Sequence, residues 1–567
     1  MVDLTKKPYC LNKQQINYIE EKIAKMSIDE KVGQLFFVIG QDENMTDIAE
    51  FIEKYQPGGM MYRPDVAEKI KREIATAQTA SQVPLFFAAN LESGGNGIIS
   101  EGTWFGMPLQ MAATDDPKSA YELGNVSGFE ASQVGCNMSF APIVDIDKNF
   151  RNPITNTRTF GSDKTRVMKM AEAQIKGLEK NQVIPVIKHF PGDGVDERDQ
   201  HLVSSVNSLT KDDWMNTYGQ IYRQLIETGI SSIMIGHIMQ PAWERYLQPD
   251  ISDKDLRPAS SSSLLINGLL RDVLQFNGLA ITDATPMIGY NAATDRENLL
   301  PETINAGIDM ILFNKNIDED YHYIRQAVEN GKLPIERVNE AIMRILGTKL
   351  AQGIMDTNES LLLTPPETLA LDTKAHEKLA EEVAKKAVTL VKDRDHLLPL
   401  TPERYPRIRL VILGDSDEGG FKEGGKVTDL FKMQLEKVGF IVSLYNSQQL
   451  DFHEIFEEGV QDMKEKFDLA LYIANIETAS NQTTTRLDWI PLMAANAPWF
   501  MQAIPTVFIS TANPYHLFDI PSVSTFINAY TGNKASVEAV MRKITGQEAF
   551  EGINPVDPFC GDFTAKL

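Results

Sequence analysis

The stretch VIPVIKHFPGDGVDERDQH (183–201) decides how the chain is read. Its first five residues are apolar without a break, the mark of a strand buried on both faces. The run then passes through Lys188-His189 into a Pro191-Gly192 turn. Seven further runs of the same kind surround it. QLFFVIG (34–40), GGMMY (58–62), PLFFAAN (84–90) and MSFAPIVDI (138–146) precede it, and SSIMIGHI (231–238), GLAITDA (278–284) and GIDMILF (307–313) follow. The intervening pieces, such as KTRVMKMAEAQIKGLEKNQ (164–182) and WMNTYGQIYRQLIETG (214–229), space their apolar residues near 3.6 and end at polar residues or glycine. Eight β–α units in roughly 320 residues predict a closed (β/α)8 barrel rather than an open sheet.

A second alternation follows the first. TLVKD (389–393), RLVILGD (409–415), FIVSLYN (440–446), LALYIAN (469–475), TVFISTAN (506–513) and STFINAY (524–530) are separated by helical segments. They predict an open α/β sandwich with helices on both faces. Pro365-Pro366 mark the junction. The expected organisation is therefore a barrel over 1–355, a linker over 356–375 and a sandwich domain over 376–567. The loop GDSDEGGFKEGG (414–425) matches no phosphate-binding glycine pattern and reads as surface.

Composition narrows the function. The formal charge of −23 opposes a nucleic-acid partner, since a phosphate backbone is bound by Lys/Arg patches. Cys10, Cys136 and Cys560 are scattered, so neither a disulfide framework nor a Cys-based metal site is expected. The first 26 residues are polar and helical, without the apolar core of a secretory signal. No apolar run reaches the ~20 residues that span a bilayer. These features predict a cytoplasmic protein that needs no cofactor or metal.

The chemistry-bearing residues gather at one end of the runs. Asn90 and Glu92, Asp145 and Asp147, Lys188 and His189, His237, and Asp283 all stand at or just past a run's C-terminal end. In a barrel that end holds the active site. Asp199-Gln200-His201 closes the deciding stretch, and a carboxylate two residues from an imidazole can fix its tautomer and orientation. Taken alone, such a pair is also an ordinary surface-loop contact; the adjoining Lys188, His189 and turn favour a site. Asp283, emerging from an apolar strand, suits attack on an anomeric carbon or support of an oxocarbenium ion. The competing reading makes it the N-cap of the next helix. His237 is equally readable as a ligand contact or as a buried histidine bonded to the backbone.

The ordered motifs resemble family 3 glycoside hydrolases, and within them the bacterial β-N-acetylglucosaminidases. MSIDEKVGQLFFV (26–38), TRTFGSD (157–163), KHFPGDG with its DQH, GLAITDA and TLVKDRDHLLPL (389–400) carry the resemblance, and LYIANIETASNQTTTRLDW (471–489) points to that branch. The resemblance implies a retaining enzyme that removes terminal β-linked N-acetylglucosamine. Asp283 would be the nucleophile and His201 the acid/base, oriented by Asp199. Lys188, His189 and Arg158 would bind the sugar, with Lys188 and Arg158 helping to keep Asp283 ionised. Asn90 and Glu92 would complete the sugar contacts. Asp193 stands where the branch usually has histidine, and Asn90 where it usually has aspartate, which opens the question of the sugar. Two other readings stay in view: a β-glucosidase or β-xylosidase of the same family with Glu477 as acid/base, and a carbohydrate-binding protein on a catalytically dead barrel. The expected partner is a small saccharide or glycopeptide, and inorganic phosphate is a candidate acceptor. A histidine, unlike a carboxylate base, would not repel it.

Overall fold

A computed structural model describes residues 2–40, 47–355, 368–415, 426–445, 452–477, 480–481, 483 and 485–567. The expected linker lies outside the described residues over 356–367, as does most of the 414–425 loop. Packing divides the chain into two units. The first comprises Met1–Thr103, Ala120–Asn149 and Val167–Thr373. The second comprises Trp104–Ser119, Phe150–Arg166 and Lys374–Leu567. Two segments within the first 355 residues, 104–119 and 150–166, thus group with the second unit.

In the first unit eight strands close a parallel barrel. They are β1 (Phe36–Ile39), β2 (Gly59–Met61), β3 (Phe86–Ala89), β4 (Met138–Ser139), β5 (Ile184–Phe190), β6 (Ser232–Ile235), β7 (Leu279–Ala284) and β8 (Met310–Leu312). Each pairs in parallel with its sequence neighbours, and β8 returns to β1. All seven residues of β5 are buried, as an uninterrupted apolar run facing barrel and helices requires. The 138–146 run yields only a two-residue strand. Pro142 has no N–H to donate, and pairing with β5 resumes as a single bridge from Ile143 to Lys188.

The helix Tyr218–Thr228 shows how the outer ring packs. Tyr218, Ile221, Tyr222 and Leu225 form its buried stripe, and Gly229 ends it in the left-handed region at φ 110°. Below the barrel, Asp309 at the entry to β8 accepts from three arginines: Arg271 at 2.9 Å, Arg337 at 2.7 Å and Arg344 at 3.2 Å. Burial opposes ionisation of that carboxyl, but the guanidinium groups outweigh it and hold it below the usual carboxylate range.

The second unit carries a six-stranded sheet. Its strands are β9 (Thr389–Asp393), β10 (Arg407–Leu413), β11 (Ile441–Leu444), β12 (Leu469–Ala474), β13 (Thr506–Ser510) and β14 (Thr525–Asn528), in the order β9-β14-β13-β12-β10-β11. Only β9 runs antiparallel to its neighbour. Among the described residues no helix is long and apolar enough to cross a membrane.

Candidate active site

The C-terminal ends of β3, β4, β5, β6 and β7 supply the polar side chains of the first unit, with the loop after β5 folded among them. Lys188 leaves β5 buried, its Nζ 2.6 Å from Glu92 Oε1 and 3.4 Å from Asn90 Oδ1. Three of the residues singled out in the sequence are therefore one cluster. A buried ammonium this close to a carboxylate keeps both charges compensated without consuming all three of its donors.

His189 is held by a residue that sequence reasoning placed at a strand end without giving it a role. Asp145 Oδ2 lies 2.7 Å from His189 Nδ1, while Asp145 Oδ1 accepts from the main-chain N–H groups of His189 (3.1 Å) and Asp193 (2.8 Å). One carboxylate thus fixes the imidazole and the turn that follows. The turn is fixed from outside as well. Trp214 Nε1 donates to Pro191 O, and Tyr218 Oη donates to Asp193 O. Gly192, at φ 116°, sits where a Cβ would come within 2.2 Å of the Tyr218 ring, so only glycine fits.

His189 Nε2 is 3.8 Å from Asp283 Oδ2. Asp283 lies within β7, and the next helix, Ile288–Asn291, has Met287 rather than Asp283 at its N-cap position. The N-cap reading of Asp283 is therefore set aside. Its carboxylate keeps one internal bond, Oδ1 accepting from Ala284 N at 2.7 Å. Burial would raise this carboxyl, but the fields of His189, His237 and His201 and the Ala284 N–H outweigh burial and hold it below the usual carboxylate range. The largest of these fields come from histidines, beside the Lys188 and Arg158 to which the sequence pointed.

Asp199 and His201 form the expected pair. Asp199 Oδ1 is 2.6 Å from His201 Nδ1 and accepts from the His201 main-chain N–H at 2.8 Å. The Asp199 side chain is fully buried while that of His201 is 15% exposed, so the acid lies behind the imidazole. With Nδ1 on the carboxylate, proton transfer by this ring runs through Nε2. Asp193 accepts from Gly194 N at 2.7 Å and faces Gln200 Nε2 at 3.4 Å.

His237 takes the backbone-bonded alternative. Nε2 lies 3.1 Å from Ala284 O and must donate to it, so Nδ1 accepts from Ser260 Oγ at 2.9 Å. Burial, opposed by Asp283 and the Ala284 carbonyl, pushes its pKa down to about 4. The ring is a neutral prop for the residue after Asp283. Arg158 and Glu477 belong to the second unit. Arg158 is buried in the single turn Asn156–Arg158, with Nη1 3.4 Å from Ile154 O. Glu477 is half-buried just past β12. Among the described residues no group of three or more His, Cys, Asp or Glu could hold a metal ion.

A closed parallel barrel with a buried Asp at one strand end and an Asp-backed imidazole in a neighbouring loop carries the groups that a glycoside hydrolase needs. Residues 27–348 match the model described as glycosyl hydrolase family 3 N terminal domain. A beta-N-acetylglucosaminidase/beta-glucosidase of Cellulomonas fimi is 39% identical, with both chains covered in full. A solved structure of beta-glucoside phosphorylase BglX bound to 2FGlc is 43% identical with a TM-score of 0.92, covering 98% of this chain and 99% of its own. A family 3 beta-N-acetylglucosaminidase from Paenibacillus sp. str. FPU-7 shares the fold at 23% identity, with a TM-score of 0.79, 94% of this chain and 99% of its own. The chain belongs to glycosyl hydrolase family 3.

Proposed function

We propose that the enzyme cleaves terminal β-linked N-acetylglucosamine or glucose by double displacement, with inorganic phosphate as the preferred acceptor. Asp283 attacks the anomeric carbon while His201 protonates the departing glycosidic oxygen, giving an α-glycosyl ester on Asp283. Phosphate then displaces Asp283 from the opposite face, so two inversions leave a β-configured sugar 1-phosphate. Lys188, His189 and Glu92 bind sugar hydroxyls, and Asn90 accepts from one that a carboxylate would hold more strongly.

The carrying observation is the 2.6 Å Asp199–His201 pair, which supports an imidazole as acid/base in place of the carboxylate that retaining enzymes commonly use. Two unit charges ~4 Å apart at an effective dielectric near ~20 repel by about 4 kcal/mol, a penalty that a carboxylate base would impose on an incoming phosphate. A histidine removes it. The similarity to a beta-glucoside phosphorylase across 98% of the chain supports the same acceptor.

The test mixes enzyme with aryl β-N-acetylglucosaminide or aryl β-glucoside, with and without millimolar phosphate, and follows products by phosphorus NMR. Phosphate-dependent turnover and a β-sugar 1-phosphate are expected. Free sugar alone, at a rate indifferent to phosphate, would return the acceptor to water. Asp283→Asn should lose at least ~10³-fold in turnover, about 4 kcal/mol of barrier, and a 2-fluoro sugar should label Asp283 and no other carboxylate.

A further inference from the structure

Gln200 stands between the two members of the Asp199–His201 pair and is completely buried. Its carboxamide is bonded in both directions. Oε1 accepts from the main-chain N–H of His237 at 2.9 Å, which fixes the amide's orientation and leaves Nε2 toward Asp193 Oδ2 at 3.4 Å. A buried primary amide satisfied this way ties three pieces together: the turn after β5, the loop bearing His201, and the end of β6.

The same loop is also fastened to the segment that follows Asp283. Ile288 N donates to His201 O at 3.0 Å, and Ser204 Oγ donates to Gly289 O at 2.8 Å. A Cβ on Gly289 would lie 2.2 Å from Gln200 O, so the two backbones meet with no room for a side chain. Gly236, beside His237, likewise comes within 3.1 Å of Gln200 Oε1 once given a Cβ.

We propose that Gln200 and Asp193 form a donor–acceptor latch whose function is to position His201 for proton transfer, making both of them positioning residues for the reaction. The inference rests on His201 being the acid/base. It goes further in assigning a task to the aspartate at position 193 and to the residue inside the DQH triplet. A proton donor displaced by an ångström loses far more rate than stability, so the latch should be visible in kinetics before it is visible in folding.

The polarity of the latch supplies the test. In Gln200→Glu, one oxygen still accepts from His237 N–H, but the other faces Asp193 as a second carboxylate. In Asp193→Asn, with Gly194 N–H keeping its oxygen, the new amide faces Gln200 donor to donor. The double variant D193N/Q200E reverses donor and acceptor, restores the bond and leaves the pair's charge unchanged. Each single variant should lose roughly 10- to 100-fold in kcat/KM on alkyl glycosides, which need protonation, and much less on dinitrophenyl glycosides. Hydrogen exchange over 195–204 should rise in each single variant. The double variant should recover both properties.

Losses that add in the double variant, or that fall equally on both leaving groups, would overturn the latch. His201→Ala, assayed beside them, separates the two levels of argument. If that variant shows no leaving-group dependence, the acid/base reading itself fails. If it shows the dependence and the latch variants do not, only the latch fails.

Discussion

Acidification should destabilise the barrel above the range in which carboxylates titrate, and His237 supplies the reason. Burial lowers its pKa from 6.5 to about 4, because the charged ring would lose its solvation and its Nδ1 would cease to accept from Ser260. The sign follows from proton counts. Between pH 6.5 and 4 the unfolded chain binds a proton at this position and the folded chain does not, so stability rises with pH through that window and is complete above it. Across the whole window the effect is about 3 kcal/mol, and about 2 kcal/mol of it is lost between pH 7 and pH 5. Urea unfolding followed through Trp214 and Trp243, both buried in the barrel unit, gives the stability at each pH. His237→Gln should start less stable at pH 7 and lose less on going to pH 5. Because other groups titrate too, the difference between the two slopes isolates His237. Equal slopes for wild type and variant would refute the reasoning. The second unit repeats the arrangement in His516, bonded to Ser510 and the Thr485 carbonyl and also pushed down to about 4, so probes there should show the same drift independently of His237.

Three further outcomes follow from the same geometry. Asp309→Ala leaves three largely buried arginines, Arg271, Arg337 and Arg344, without their shared carboxylate, although Glu340 still pairs with Arg337 and Arg344, and should cost about 3–5 kcal/mol in urea unfolding; a loss under about 1 kcal/mol would contradict the buried-pair argument. As the proposed nucleophile Asp283 has to be ionised, and because it is held below the usual carboxylate range the acid limb of kcat/KM should fall only as pH drops through that lowered value. An acid limb centred near pH 6 that shifts in a His189→Ala variant would assign the titration differently. Gly289→Ala puts a methyl group against Gln200 O and Val203 O, so alkyl glycoside turnover should drop with KM little changed; an unaffected kcat on those substrates would show that the two backbones can part freely.

The barrel was legible because strands buried on both faces leave apolar runs that no surface element needs, and all eight runs became strands. The 138–146 run shows the limit of that signal, since one proline divides what hydropathy presents as continuous. Six apolar runs became the second sheet, although its edge strands β11 and β9 are mostly exposed or half-buried and were apolar without being buried on both faces. What periodicity could not give is which loop packs with which core: residues 104–119 and 150–166 sit between barrel strands in sequence yet group with the second unit. At the site, residue types at strand ends pointed to Lys188, His189 and Asp283 and the DQH loop to His201, but partners 44 residues apart, such as Asp145 and His189, leave no local pattern. Gln200 was passed over because an amide between two chemically active residues carries no motif of its own. His237 could be placed but not assigned, because a buried histidine that props a carbonyl and one that binds a ligand look identical in sequence.

The acidic residues of the site do not argue against an anionic acceptor once their partners are counted. Glu92 is paired with Lys188. Asp145 accepts three hydrogen bonds from His189 and Asp193, Asp193 accepts from Gly194 and faces Gln200, and Asp199 is buried behind the imidazole it orients. Each of these charges is spent on a donor of the protein itself, at a spacing where that compensation is strongest. Asp283 keeps one internal bond, from a main-chain N–H, and on the proposed mechanism it becomes a neutral ester when glycosylated. On that mechanism an incoming phosphate meets the partly exposed edge of an imidazole, an ammonium already balanced by its carboxylate, and an aspartate that has lost its charge. In the proposed double displacement, deglycosylation is the step in which Asp283 carries no charge, and it is the step that phosphate would enter.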